Sequence, residues 1–383
     1  MARWICVLMA LWLAGCASHP LVTKSEQLFD DTSFKPASER INPADALALS
    51  DEMRGYLQRE MGNLLLRREP QRVLLEQLYT HNQLKLRYDT EMTRSAAQAF
   101  EARAGNCMSL VLMTAAFARE LGLQVRYQSV YVDPNWGRRG DLYFTIGHIN
   151  LSVGKPLVQT HGPGDAGDWL TVDFLPQREL RGQRYDVIDE PTVIAMYLNN
   201  KAAEAMADGR VDDAYWWVKA AIQQDRQLLL AYNTLGVIYQ RHGLPARAEA
   251  VLRFALALEP TNVHVAGNLA QLLTSQGRAA EAAPLIALAE RLQPDPPFKY
   301  FNLGREAMAR GEYRQAKSLF EREIGRDPDY HEFYFWLALA DLKLGDVQHA
   351  QRNLETAREK SGSRREEALY AAKLARLKAD LVQ

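Results

Sequence analysis

Residues 232–239 have the sequence Tyr232-Asn-Thr-Leu-Gly-Val-Ile-Tyr239, and their spacing of small and apolar residues returns at a step of 34 residues through the C-terminal half. The glycines that mark this step are Gly209, Gly243, Gly277, Gly311 and Gly345. A second series of small residues keeps the same step: Ala202, Gly236, Ala270, Gly304 and Ala338. A fixed period of this length predicts a stack of similar units that share one elongated core.

The period and its residues resemble the tetratricopeptide repeat, a helix–turn–helix unit. The second unit agrees best, with Tyr232, Leu235, Gly236, Tyr239, Ala248, Leu252 and Pro260. The resemblance implies an all-α superhelix over residues 195–383, with five repeats that start near 195, 229, 263, 297 and 331 and a final capping helix. The first unit diverges, because Lys201 stands at an apolar position and Arg226 replaces the proline.

The first helices of such repeats line a concave face. Asn268 and Asn302 occupy equivalent positions there, one repeat apart, and Arg305 follows on the same helix as Asn302. The resemblance implies that the two asparagines hold a peptide backbone, and we expect Arg305 to bind the peptide beside them. A solvated face without a ligand is the alternative for any one of them. For the array as a whole we expect a protein partner, by analogy of fold.

The N-terminal half shows helix signals followed by strand signals. Gly105 and Asn106 break a short helix over 95–103, and apolar residues from Cys107 to Leu121 then recur at helical spacing. Alternation predicts strands near 125–131, 142–153 and 169–173, separated by loops rich in glycine and proline.

Residues 85–180 resemble the transglutaminase-like branch of the papain-type cysteine enzymes. The motifs are Arg103-x-Gly105-x-Cys107 at a helix start, His148 on a strand, and Trp169-Leu-Thr-Val-Asp173 on the next strand. The resemblance implies an α+β papain-like domain over residues 41–190 and a catalytic triad of Cys107, His148 and Asp173.

Acyl transfer on an amide requires a cysteine, a histidine and a carboxylate in this arrangement. A helix N-terminus favours a thiolate, a histidine stabilises that thiolate and protonates the leaving amine, and a carboxylate orients the histidine. The backbone N–H of the cysteine is one donor for the oxyanion. Asn106, Gln98 and Tyr88 are candidates for a second donor, and the sequence does not choose between them. No Cys-x-x-Cys or His-x-x-His spacing occurs, so we expect no zinc site. We also expect no cofactor.

Each member of the triad has an alternative. A free cysteine is often a small buried apolar residue, and a strand histidine is often structural. His161 competes with His148, and Asp165 and Asp168 compete with Asp173, although these three lie in a loop-like stretch. The chain also departs from the family pattern. Asn150 stands where active relatives often have tryptophan, and Asn106 stands before the cysteine, where aspartate is frequent. A non-catalytic envelope scaffold is therefore the rival function.

The N-terminus resembles that of a bacterial lipoprotein. A basic start and an apolar core precede Leu13-Ala14-Gly15-Cys16. The resemblance implies removal of residues 1–15, lipid attachment to Cys16, and an outer-membrane location facing the periplasm, because Ala17 is not aspartate. Ordinary secretion is the alternative. The polar, aperiodic residues 16–40 predict a tether.

The charges nearly cancel, with 46 Lys and Arg against 47 Asp and Glu, which argues against a nucleic-acid partner. We expect a protein or peptide substrate, a protein partner on the array, and membrane contact through the lipid.

Overall fold

The computed structural model describes residues 22–80, 84–90, 92–139, 142–156, 169–174 and 184–382. The expected lipid-attachment residue Cys16 and the competing residues His161, Asp165 and Asp168 lie outside these ranges. None of the helices within them combines the length and hydropathy needed to span a bilayer.

Short helices open the N-terminal half. Three 3-10 helices (Val22–Leu28, Asp31–Ser33, Pro43–Leu47) precede α1 (Asp51–Tyr56), a π-helical turn (Leu57–Met61), α2 (Gly62–Leu65), α3 (Pro70–Leu75) and a second π-helical turn (Glu76–Thr80). Two further helices follow, α4 (Ala96–Ala102) and α5 (Cys107–Glu120). Every residue of α5 from Cys107 to Ala118 is buried, so this helix forms the centre of the domain core.

A two-residue parallel pair joins β1 (Arg87–Tyr88) to β2 (Ala104–Gly105). A four-stranded antiparallel sheet in the order β5-β4-β3-β6 packs on α5. Its strands are β3 (Leu123–Arg139), β4 (Leu142–Pro156), β5 (Leu170–Val172) and β6 (Arg184–Ile188).

The β3–β4 hairpin is longer than the sequence predicted. The loop expected after residue 131 is strand as far as Arg139, with a register shift between Val130 and Asn135. Such a bulge accommodates the Asp-Pro-Asn stretch while the ladder resumes beyond it. The sequence did not predict β6, whose described residues are mostly exposed at the sheet edge.

Paired helices make up the C-terminal half: α6 (Glu190–Ala207), α7 (Val211–Gln224), α8 (Leu229–Arg241), α9 (Pro245–Leu258), α10 (Val263–Ser275), α11 (Ala279–Leu292), α12 (Lys299–Ala309), α13 (Tyr313–Ile324), α14 (His331–Lys343), α15 (Val347–Glu359) and α16 (Arg364–Val382). The periodic glycines between the helices of a pair have φ between 75° and 82°, a region that disfavours residues with a Cβ. A Cβ at Gly304 would lie 2.5 Å from Phe320, which explains the second series of small residues as close helix contacts.

One apolar core runs from the N-terminal half into the first three repeats, and smaller clusters fill the last two. The N-terminal segment contributes to this core. The Phe34 ring is 6% exposed and stacks on Tyr215 of α7 with 3.9 Å between centroids. Ser38 donates from N and Oγ to the carboxylate of Asp213, each at 2.7 Å. The expectation of a tether up to residue 40 is therefore wrong from residue 25 onwards, because an aromatic ring and several polar groups there find partners on the first repeat.

Candidate active site

Cys107 is the first residue of α5, and local sequence fixes it there. Asn106 caps the helix by accepting from Ser109 N at 2.9 Å. A Cβ at Gly105 would lie 2.5 Å from the Cβ of Ser109. The glycine of the motif therefore allows the backbone before the helix to pass close to the first turn of α5. The thiol thus lies at the positive end of a long buried helix.

The structure brings the three expected triad residues together. His148 lies on β4 and Asp173 directly follows β5, the strand that pairs with β4. His148 Nε2 lies 2.7 Å from Asp173 Oδ1, and the Cys107 side chain lies close enough to the imidazole to raise its pKa. Because Nε2 faces the carboxylate, Nδ1 is the ring atom left for the sulfur.

The site is almost closed to solvent. Cys107 is 7% exposed, and the side chains of His148 and Asp173 are each 5% exposed. Burial lowers the pKa of His148, but hydrogen bonds and charge interactions with Asp173 and Cys107 outweigh it and raise the pKa to about 9. The imidazole is therefore protonated at neutral pH, as a proton donor for a leaving amine must be.

Asn150 completes the arrangement, although the sequence alone marks it only as a departure from the family pattern. Its Nδ2 donates to Asp173 Oδ2 at 2.6 Å, so each carboxylate oxygen has its own partner. Its Oδ1 is buried and has no hydrogen-bond partner among the described residues. Its place two residues after His148 on the same strand is the only sequence signal for this contact.

The structure separates the three candidates for a second oxyanion donor. The Asn106 side chain is engaged by Ser109 and Thr93, and the Gln98 side chain closes a capping box with Ser95. Tyr88 is 43% exposed and pairs with Gly105 through β1 and β2, and its hydroxyl lies close to the backbone N–H and the side chain of Cys107. Burial and the nearby Cys107 raise the pKa of Tyr88, so its hydroxyl stays protonated and able to donate.

The residues expected to bind a peptide lie on α10 and α12, the first helices of the third and fourth repeats. Asn268, on α10, donates from Nδ2 to Asn233 Oδ1 at 2.8 Å, so its amide is engaged within the array. Asn302 and Arg305 are half-buried on α12. The Arg305 guanidinium lies 5.2 Å from the Trp336 ring centroid, and its buried Nε has no hydrogen-bond partner among the described residues.

Within the described ranges, no cluster of three or more His, Cys, Asp or Glu side chains is arranged to hold a metal ion.

The family comparisons cover most of the fold. Residues 68–227 match the model of the transglutaminase-like superfamily, and residues 241–301 and 301–364 match tetratricopeptide repeat models. The chain carries a transglutaminase-like domain followed by tetratricopeptide repeats. Cys107, His148 and Asp173 all fall within the matched range of the transglutaminase-like domain.

Three solved structures each match about half of this chain. The crystal structure of MamA is 23% identical over 45% of this chain and 93% of that chain, with a TM-score of 0.25. A PilF structure from Pseudomonas aeruginosa is 22% identical over 49% of this chain and 85% of that chain, with a TM-score of 0.31. YrrB, described as a TPR protein with an unusual peptide-binding site, is 20% identical over 47% of this chain and 92% of that chain, with a TM-score of 0.25. No curated protein matches this chain.

Proposed function

We propose that this protein is an envelope lipoprotein whose transglutaminase-like domain performs thiol-dependent acyl transfer on an amide, as a cysteine peptidase, and whose repeat array recruits a protein partner. One observation carries the catalytic part. The His148 imidazole lies 2.7 Å from the Asp173 carboxylate and interacts with the Cys107 thiol at the start of a buried helix.

Acylation begins when the Cys107 thiolate attacks the carbonyl carbon of the amide. The carbonyl π electrons move to oxygen and form a tetrahedral oxyanion. When this intermediate collapses, the C–N bond breaks and the His148 imidazolium gives its proton to the leaving amine. The products of this half are a free amine, a thioester on Cys107 and a neutral His148.

Deacylation uses the neutral His148 as a base. It takes a proton from water as the water oxygen attacks the thioester, and collapse releases a carboxylic acid and regenerates the thiolate–imidazolium pair. An amine in place of water would give a new amide and hence a cross-link. Water is the acceptor we propose.

The oxyanion requires donors that are already in place. We assign this role to the Cys107 N–H and the Tyr88 hydroxyl, because the hydroxyl lies beside that N–H and a substrate oxygen that enters between them would accept from both. The side chains of the other two candidates form helix caps, Gln98 at the start of α4 and Asn106 at the start of α5.

The envelope part of the proposal rests on the N-terminal sequence. The order Leu13-Ala14-Gly15-Cys16 after an apolar core supports lipid attachment at Cys16 and an outer-membrane location. Replacement of Cys16 by serine tests it. We expect loss of membrane association and a changed mature mass, and a variant with unaltered mass and membrane association would overturn this part.

The catalytic part is tested with a library of peptides incubated in oxygen-18 water with a biotinylated amine. We expect new carboxyl termini that carry oxygen-18, and their loss in Cys107→Ala. Biotin incorporation in place of oxygen-18 would make the enzyme a cross-linker. If wild type and Cys107→Ala both leave the library unchanged, the scaffold function gains support.

A further inference from the structure

The far end of the β3–β4 hairpin reaches the repeat array. Arg138 Nε donates to Glu332 Oε2 at 3.1 Å, and Nη2 donates to the other carboxylate oxygen. Backbone N–H of Arg138 donates to the Tyr330 hydroxyl at 3.2 Å. The guanidinium also lies 5.3 Å from the ring centroid of Phe301. An arginine of the transglutaminase-like domain is thus bound by the fourth and fifth repeats.

The array side of this contact has the properties of a formed arginine site. The Arg138 and Glu332 side chains are only 10% and 17% exposed, so their two-pronged pair is largely shielded from water and salt. Trp336 Nε1 donates to Glu332 Oε1 at 3.2 Å and holds the carboxylate in position. Phe301 is fully buried and provides a fixed ring face. A planar guanidinium suits this combination of acid and aromatic rings, whereas a lysine would not reproduce both contacts.

A second contact shows that the end of the array approaches the same domain closely. Thr90 N donates to Gly362 O at 3.3 Å, two residues after Tyr88. A Cβ at Gly362 would lie 2.4 Å from Thr90 Oγ1, so the two backbones meet without room for a side chain.

We infer that Phe301 on α12, Glu332 and Trp336 on α14, and Tyr330 directly before α14 form an arginine-binding surface, and that its occupant is Arg138 of the chain's own hairpin. The surface adjoins Arg305, one of the residues expected to bind an external peptide, since Arg305 lies over the same Trp336 and Phe301 rings. A partner that docks there must displace the hairpin. The tethered arginine has the advantage of a high effective concentration.

The inference does not depend on the activity of Cys107, so its test uses hydrogen exchange in the full chain. The variants are Arg138→Ala, Arg138→Lys, Glu332→Gln and the double variant Arg138→Ala/Glu332→Gln. The control is Arg126→Ala, which removes an arginine from the same strand whose guanidinium lies over Trp169 within the domain. Glu332→Gln keeps the size of the side chain, so it preserves the fold if Arg138→Ala does not.

The affected amides should be those of the outer ladder, residues 135–139 and 142–146. We expect them to exchange about tenfold faster or more in Arg138→Ala and Glu332→Gln, and to change less in Arg138→Lys. The double variant should be no faster than either single variant, and Arg126→Ala should leave the outer ladder unchanged. Unchanged exchange in both single variants, or additive effects in the double variant, would overturn the inference.

A peptide tests whether the surface is a site rather than an isolated ion pair. A synthetic copy of residues 131–146 is titrated into the Arg138→Ala chain, beside a matched peptide with the same Arg138→Ala change. We expect about tenfold tighter binding of the arginine peptide, and loss of that difference when Glu332→Gln is added to the chain. Equal affinity for the two peptides would overturn the assignment.

Discussion

Asn150 and His148 divide the two oxygens of Asp173 between them. Asn150 Nδ2 donates to Oδ2 at 2.6 Å, and His148 Nε2 lies 2.7 Å from Oδ1. The carboxylate is therefore fixed at both oxygens, and with it the tilt of the imidazole that faces Cys107. This contact gives Asn150 a structural role at a position that the sequence marks only as a departure from the family pattern.

The first prediction follows from this contact. Asn150→Ala should lower kcat by about tenfold or more and leave KM nearly unchanged, because the variant frees the orientation of Asp173 and removes no group that touches substrate. Asn150→Gln should not restore kcat, because its longer side chain does not fit the same geometry.

The matched control is Ser152→Ala. Ser152 Oγ and Thr171 Oγ1 form a 2.8 Å hydrogen bond across the same two strands, so this variant removes a similar contact two positions along the ladder from Asn150 and Asp173. A fall in kcat of equal size in Ser152→Ala would show that Asn150 acts through the stability of the sheet. In that case the positioning role is wrong.

The second prediction concerns pH. The pKa of His148 is raised to about 9, so the imidazolium that the proposed mechanism needs to protonate a leaving amine persists through neutral pH. Amide turnover limited by acylation should fall about tenfold per pH unit above about 9. Asp173→Asn removes the carboxylate that raises this pKa and should move the alkaline limit of the pH–rate profile to lower pH.

The raised pKa of His148 also makes the free energy of unfolding depend on pH. The pKa of His148 in the folded state exceeds the ordinary value of 6.5, so its contribution to the free energy of unfolding is complete below about pH 6.5 and is lost as the pH rises through 9. Denaturant unfolding should show that the free energy of unfolding falls more between pH 6 and pH 10 in wild type than in His148→Gln. An equal loss in both proteins would contradict the raised pKa.

The third prediction concerns Tyr88. Tyr88→Phe keeps the ring and removes the hydroxyl that contacts Cys107, so kcat/KM should fall by about a hundredfold, as when one oxyanion donor is deleted. Tyr131→Phe is the control, since that tyrosine is 62% exposed and its hydroxyl donates to Asp186 on the neighbouring strand. Equal rates in Tyr88→Phe and wild type would show that the second oxyanion donor is another group.

The fourth prediction tests the docked N-terminal segment. Phe34→Ala removes a buried ring from its stack on Tyr215 and should lower the free energy of unfolding by about 3 kcal/mol. Lys35→Ala is a neighbouring control, because the described partners of that residue are made through its backbone. A segment that served only as a tether would leave both variants as stable as wild type.

Periodicity and motif spacing predicted much of this molecule. The step of 34 residues predicted the array because each repeat contacts mainly its neighbours, so sequence distance and spatial distance stay in proportion. The positions of Cys107, His148 and Asp173 in a helix–strand–strand order were also readable, because a capped helix start and strand alternation are local signals.

Contacts between segments distant in the sequence could not be predicted in this way. Nothing near Arg138 shows that its partner Glu332 lies 194 residues later, and Phe34 shows no periodic pattern that would mark it as core. Asn150 is polar on a strand, and only the pairing of β4 with β5 gives it Asp173 as a partner. The choice of Tyr88 among three donors likewise required the β1–β2 pair.

The most direct test of the catalytic account is the rate at which iodoacetamide alkylates Cys107 at pH 6, compared between wild type and His148→Ala, with Cys107→Ser to subtract any other thiol. We expect wild type to react about tenfold faster or more than a cysteine in a reference peptide, and His148→Ala to remove this excess, because a neighbouring imidazolium favours the nucleophilic form of a thiol. A rate equal to that of the peptide and unaffected by the histidine would contradict the account and leave a non-catalytic scaffold.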